Sequence, residues 1–109
     1  MPTIYKVLGQ SNPAAATPTT LYTVPASNSA VISPISATNL VSTGATFRIA
    51  VRPAGASLAN SQYIAYDTAL PSNDSIALTL GITVGNTDVI TVQANTGNVS
   101  FVAFGTEIY

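Results

Sequence analysis

Cysteine, histidine and tryptophan are missing from this chain, and charged residues fill only 6% of its 109 positions. Without Cys and His there are no disulfides, no thiol chemistry, no zinc site of the usual ligands and no histidine acid–base catalysis. An ordinary soluble domain carries roughly 25% charged residues. Here three Lys/Arg and four Asp/Glu leave a net charge of -1. So few cations cannot neutralise a phosphate backbone, so no nucleic-acid partner is expected. No apolar run approaches the length of a membrane span, and no membrane partner is expected either. The opening residues Pro2 to Gln10 lack a basic segment followed by an unbroken apolar one, so no secretory signal is expected.

What fills the space left by the missing charges is small and neutral. The chain has 11 Ser, 15 Thr, 16 Ala and 8 Asn. Hydrophobic residues reach 47%, an ordinary value for a folded domain. The length allows one domain, residues 1–109, with a thin core. A surface of Ser, Thr, Ala and Asn repels its own copies weakly, and its short side chains lose little rotamer entropy when covered. Such a surface suits stable contacts between subunits.

The dominant pattern is period-2 alternation in short runs cut by Pro, Gly, Asn and Ser. In Thr46 to Arg52, Phe47, Ile49 and Val51 share one face and Arg48, Ala50 and Arg52 the other. Ser75 to Leu80 repeats it, with Ile76, Leu78 and Leu80 inward. Asn98 to Phe104 carries apolar residues on both faces and reads as a strand covered on both sides. Weaker strands are expected at Thr3–Leu8, Thr20–Val24, Gln62–Tyr66 and Asp88–Val92. Ala30 to Thr38 is apolar but holds Pro34, so it is an edge strand, a bulged strand or two pieces. Asn95 to Asn98 reads as the loop of a terminal hairpin. Residues 11–20 form a charge-free, low-complexity loop or arm, and Arg52 to Asn60 a loop with at most one helical turn. The expected fold is all-β: a single antiparallel β-sandwich, jelly-roll-like, of about eight strands with little or no helix.

Catalytic machinery is hard to assemble from these residues. A Ser or Thr nucleophile has no histidine beside it and only Lys6 as a basic amine. Asp67, Asp74, Asp88 and Glu107 could in principle form a carboxylate pair, but no aromatic-lined cleft accompanies them. The three aspartates fit turn positions, where the side chain bonds its own backbone. No catalytic residue, cofactor or metal is expected, and the chain is not expected to be an enzyme. Two features stand out as contact candidates. Arg48 and Arg52, four apart on a strand, lie on one face about 13 Å from each other. They either pair with Asp67 or Glu107 across neighbouring strands or reach an acidic neighbour in an assembly. Among the five tyrosines, Tyr66 (on the opposite face from Tyr63) and Tyr109 are the ones expected to be exposed.

Several segments resemble a known group of proteins. They are Ile4 to Gln10, Leu21-Tyr22-Thr23-Val24-Pro25, Phe47 to Ala56 and Tyr63-Ile64-Ala65-Tyr66-Asp67. In order along most of the chain, they resemble small virion structural proteins of tailed bacteriophages, of the cyanophage and aquatic-phage type. The likeness implies a β-sandwich present in many copies on a particle, made in the host cytoplasm and located in the virion. It implies as partners the major capsid protein or other virion proteins, and further copies of the chain, a trimer being natural at a threefold shell position. The motifs are strand and turn signatures, so no functional residue is carried over. The leading expectation is a capsid cement or decoration protein, with Arg48, Arg52, Tyr66 and Tyr109 at its interface. The alternatives are a neck, collar, tail, baseplate or fibre component, or a fibre-associated glycan-binding module using tyrosine-lined loops.

Overall fold

The computed structural model describes residues 2–79 and 81–109. Nine strands follow one another: β1 (Thr3–Ser11), β2 (Thr19–Thr23), β3 (Ser29–Asn39), β4 (Ala45–Arg52), β5 (Tyr63–Leu70), β6 (Ser75–Leu78), β7 (Ile82–Val84), β8 (Val89–Ala94) and β9 (Val99–Ile108). The only helical pieces among the described residues are two single 3-10 turns, Pro53–Gly55 and Asn60–Gln62. One sheet runs in the order β1-β9-β3-β6, with β7 also on β3, and the other runs β2-β8-β4-β5.

This order has a simple origin. The chain behaves as one long antiparallel hairpin whose tip is β4–β5 and whose arms pair as β3 with β6 and β7, β2 with β8, and β1 with β9. Rolling that hairpin places alternate rungs in opposite sheets, and the two sheets then close over a common core. The β-sandwich is therefore a jelly roll, with β6 and β7 sharing the position of one strand. Residues 95–98 consequently join strands of different sheets, an arch rather than the hairpin loop that their composition suggested. Asn12 ties the preceding arm to this arch by donating to the carbonyls of Gly97 and Val99 at 3.1 and 2.8 Å.

Alternation predicts the core of the second sheet well. Phe47 and Ile49 are fully buried, Val51 partly, and the Phe47 ring meets Phe101 of the opposite sheet edge-on at 6.1 Å. Ile76 and Leu78 pack against the core, while Leu80 lies outside the described residues. Pro34 does not make β3 an edge strand. β3 is flanked on both sides, and Pro34 falls where its register to β9 steps between Ile32 and Ile35 and its other neighbour changes from β7 to β6. A residue without an N–H costs no ladder hydrogen bond at such a gap.

Close backbone approach limits two positions in β1 and β9. A Cβ at Gly105 would strike the Val31 carbonyl, and one at Gly9 the Leu21 carbonyl, whereas one at Gly44 would meet nothing. Gly105→Ala should therefore lower unfolding free energy by about 1–3 kcal/mol, as overpacking does. Gly44→Ala should stay within about 0.5 kcal/mol of the parent. Urea titration of the pair checks this, and equal midpoints would contradict the packing described for β9.

Candidate functional site

The most telling feature of the surface is where the ions go. Lys6 Nζ lies 2.9 Å from Glu107 Oε1. Arg48 grips Asp67 with two bonds, Nε to Oδ1 at 2.6 Å and Nη2 to Oδ2 at 3.1 Å. Arg52 donates to the carbonyls of Ala56 and Gly55 at 2.7 and 3.0 Å and to Thr91 Oγ1 at 3.4 Å, thereby fixing the turn after β4. Asp88 accepts the N–H groups of Ala54 and Gly85, both at 2.8 Å, and Asp74 accepts that of Ser75 at 2.8 Å. Each of the three cations and four acidic side chains thus has a partner within the chain. Asp74 and Asp88 bond turn backbone as their positions suggested, while Asp67 does not.

Why Asp67 and Arg48 meet lies in the shape of β5. Between the pairs Phe47–Thr68 and Ile49–Ala65, β4 supplies Arg48 alone and β5 supplies Tyr66 and Asp67. Asp67 takes a positive φ of 48° in this bulge. A second extra residue, Ile64, separates Ala65 from Tyr63. Each extra residue reverses the in–out alternation. Tyr63 and Tyr66 are accordingly on the same side, not on opposite faces as unbroken alternation predicted. Their rings meet edge-on at 4.9 Å, and the Arg48 guanidinium lies 4.1 Å from the Tyr66 centroid. The bonds from Arg48 hold the Asp67 carboxyl below the usual carboxylate range and push Arg48 above its own ordinary value. Two open hollows adjoin the cluster. One of about 140 Å³ has Arg48, Asp67 and Gln93 in its lining, and one of about 460 Å³ is lined by Asn60, Tyr63 and Tyr66.

Of the contact candidates, Arg48 and Tyr66 are thus brought together. Arg52 belongs to the turn after β4, and Tyr109 follows β9 of the other sheet, its N–H donating to the Pro2 carbonyl at 3.0 Å. Tyr66 and Tyr109 are both exposed, and neither arginine is left as a free cation. Among the described residues no three acidic side chains gather as a metal site would require. No described helix is long and apolar enough to cross a membrane.

A different surface went unnoticed in the sequence. On the outer side of the five-stranded sheet, Val7 is registered opposite Phe104 and Tyr5 opposite Thr106. Tyr5 is 82% exposed, Val7 48% and Phe104 38%. β9 is therefore covered by the other sheet on one side only, which corrects the expectation of cover on both. The run Ile4-Tyr5-Lys6-Val7 lacks alternation and both of its faces are open, and that lack was the available signal.

Beneath the same strand lies the one buried acid. Glu107 is 4% exposed, and Tyr22 Oη donates to its Oε2 at 2.6 Å. The Tyr22 bond first, and then Lys6, hold its carboxyl below the usual range against the opposing effect of burial. Burial and the bond to Glu107 push the Tyr22 phenol above its ordinary value, and Glu107 likewise raises Lys6. No protein-family model, curated protein or solved structure matches this chain. The likeness to phage virion proteins thus has the sequence motifs as its sole support.

These shifts fix how stability depends on pH. A depressed acid stabilises the fold above its unfolded pKa, about 4.3 for Glu, and that contribution vanishes as pH falls through the lower folded value. Raised Tyr22 and Lys6 contribute below about pH 10 and lose the contribution as pH climbs past their folded values. Tyr22→Phe should cost about 1–3 kcal/mol at pH 7 by stripping a buried carboxylate of its donor. Glu107→Gln should make the acid side of the pH–stability curve shallower, leaving the share due to Asp67. Denaturant titrations from about pH 2 to about pH 8, spanning the ordinary Asp and Glu values, check both, and an unchanged acid side in Glu107→Gln would contradict the assignment.

Proposed function

We propose that this chain is a non-enzymatic structural component of a tailed-phage virion, a cement or decoration subunit of the capsid. Its partners are the major capsid protein and further copies of itself. One observation carries the reading: Tyr5, Val7 and Phe104 stand exposed together on a chain whose seven charged side chains all have partners inside it. A surface of this kind gains nothing from ionic partners and gains apolar burial when another protein covers it, roughly 25 cal/mol for each Å². Each contact is modest, and repetition over a shell makes the sum resist internal pressure. The jelly roll suits the role because its two sheets present two broad faces.

Within this reading Tyr66 and Tyr109 remain interface candidates. To anchor on an acidic capsid face, Arg48 has to exchange Asp67 for a partner carboxylate, and Arg52 has to give up two carbonyls. Neutral contacts therefore rank ahead of ionic ones. Neck, collar, tail and baseplate positions fit the same surface and differ in copy number. A second reading, a fibre-borne glycan-binding module, draws on the hollow lined by Asn60, Tyr63 and Tyr66. It ranks lower because Arg48 already occupies one face of the Tyr66 ring.

Quantitative mass spectrometry of purified particles tests the assignment. Hundreds of copies per particle support the shell position, and a count near six or twelve, the usual cyclic symmetries of a tail, moves the chain there. Absence from intact particles overturns the virion reading. Retention of a sugar on an array, lost in Tyr66→Ala, favours the glycan module instead.

A further inference from the structure

We propose that the first half of β1 is a docking edge for a second copy of this chain, joining two sandwiches about a two-fold axis at Tyr5. The inference rests on the reading of the chain as an assembly subunit and names the surface involved. It starts from the four sheet edges. A bare edge offers a row of unpaired N–H and C=O groups, whose chemical complement is another β-strand. Three edges are unfit to receive one. β6 and β7 are four and three residues long and separate. β5 is bulged twice, and β2 has five residues with a register step between Thr20 and Tyr22.

β1 differs. It runs nine residues, and its register to β9 is unbroken from Thr3 to Val7. Ile4, at 42%, is exposed on the inner side and Tyr5 and Val7 on the outer, so this half of the strand is open on both faces as well as along its edge. Pro2, which has no N–H, precedes the regular stretch, and the register step at Leu8 ends it.

The identity of the occupant follows from symmetry and charge. The midpoint of Thr3–Val7 is Tyr5. Antiparallel self-pairing of that stretch sets Tyr5 against Tyr5 of the second copy, Ile4 against Lys6 and Thr3 against Val7. No like charges face each other, and the Lys6 ammonium is already held by Glu107. A net charge of -1 adds almost no long-range repulsion. Because the opposite edge of the same sheet is broken, the pairing uses one site per chain and closes as a dimer instead of growing into a fibre. This differs from the threefold grouping suggested by a shell position.

Sedimentation equilibrium over a concentration series is the first test. The parent chain should reach the mass of two copies. Tyr5→Lys, placed opposite itself, should stay at one copy with its β-sheet circular dichroism intact. Phe104→Ser, which alters the sheet face but not the edge, should still dimerise. Since the chain has no cysteine, Tyr5→Cys gives a second readout. Directly opposite residues place their Cβ atoms about 4.5–5.5 Å apart, so a short thiol-reactive cross-linker should join the variant into a dimer, and Ile64→Cys on β5 should not cross-link. A parent chain that stays monomeric or forms a trimer overturns the proposal. So does a dimer that survives Tyr5→Lys, or cross-linking at position 64 but not at 5. A monomer found in hundreds of copies per particle would remove this pairing and leave the virion reading intact.

Discussion

β9 is the strand that the whole sandwich leans on, because it must satisfy β1 on one side and β3 on the other at once. Its pairing runs from Thr3 with Ile108 to Ser11 with Phe101 on one edge, and from Ser29 with Ile108 to Asn39 with Val99 on the other. This joins the outermost rung of the rolled hairpin to an inner one, which turns a folded ribbon into a closed two-layer body. Both ladders tolerate an irregularity. The β1 side steps at Leu8 and the β3 side near Pro34, and Gly105 leaves room for the Val31 carbonyl close to the second step. A strand pressed from both sides can shift register only where a small residue or a missing N–H makes room.

That same strand decides where polarity is buried. Glu107 enters the interior because alternation along β9 turns it inward, to the side that Phe101 and Ala103 also face. A lone carboxylate there would be costly, and the chain answers with a phenol from β2 and an ammonium from β1. The trio therefore links both sheets at the end of the molecule where the first and last strands meet. With so few ions available, the other ones are spent as fasteners too: Arg52 and Asp88 hold the turn after β4, and Arg48 with Asp67 spans the β5 bulge. The few charges that remain at the surface are thereby already paired within the chain.

How much of this could be read from the residues depends on whether each strand keeps its period. Phe47, Ile49, Ile76 and Leu78 sit in regular stretches and their inward direction is plain from spacing. Unbroken alternation sets Tyr63 and Tyr66 on opposite faces, but the one extra residue between them, Ile64, reverses it and brings them to the same side, and a second bulge at Tyr66–Asp67 follows at once. Nothing in the letters alone marks those bulges, since no glycine accompanies them. Pro34 left three options, and only the neighbouring strands, β6, β7 and β9, select the bulge. The Asn95–Asn98 arch looks like a hairpin loop locally, and the sheet each flank joins is a long-range matter. The exposed row Tyr5, Val7 and Phe104 was hidden for a related reason: apolar residues on both faces of a run ordinarily mark a strand buried on both sides, and here they stand exposed.

The edges connect fold to function. In a small antiparallel sandwich, exposed backbone at a sheet margin is a liability unless it is shortened, bulged or covered. This chain blunts three margins by such means, yet it places Ile4, Tyr5 and Val7 along the fourth. Polar residues are abundant, and 26 Ser and Thr were available to occupy those sites at no cost to the ladder. Their absence from positions 4, 5 and 7, together with a single cation whose charge is cancelled by its own chain, is what the proposed pairing draws on at this margin. In the proposed assembly of many weak neutral contacts, one open margin per subunit would give direction to the contact without adding charge, and the broken margin opposite would keep that contact from running on.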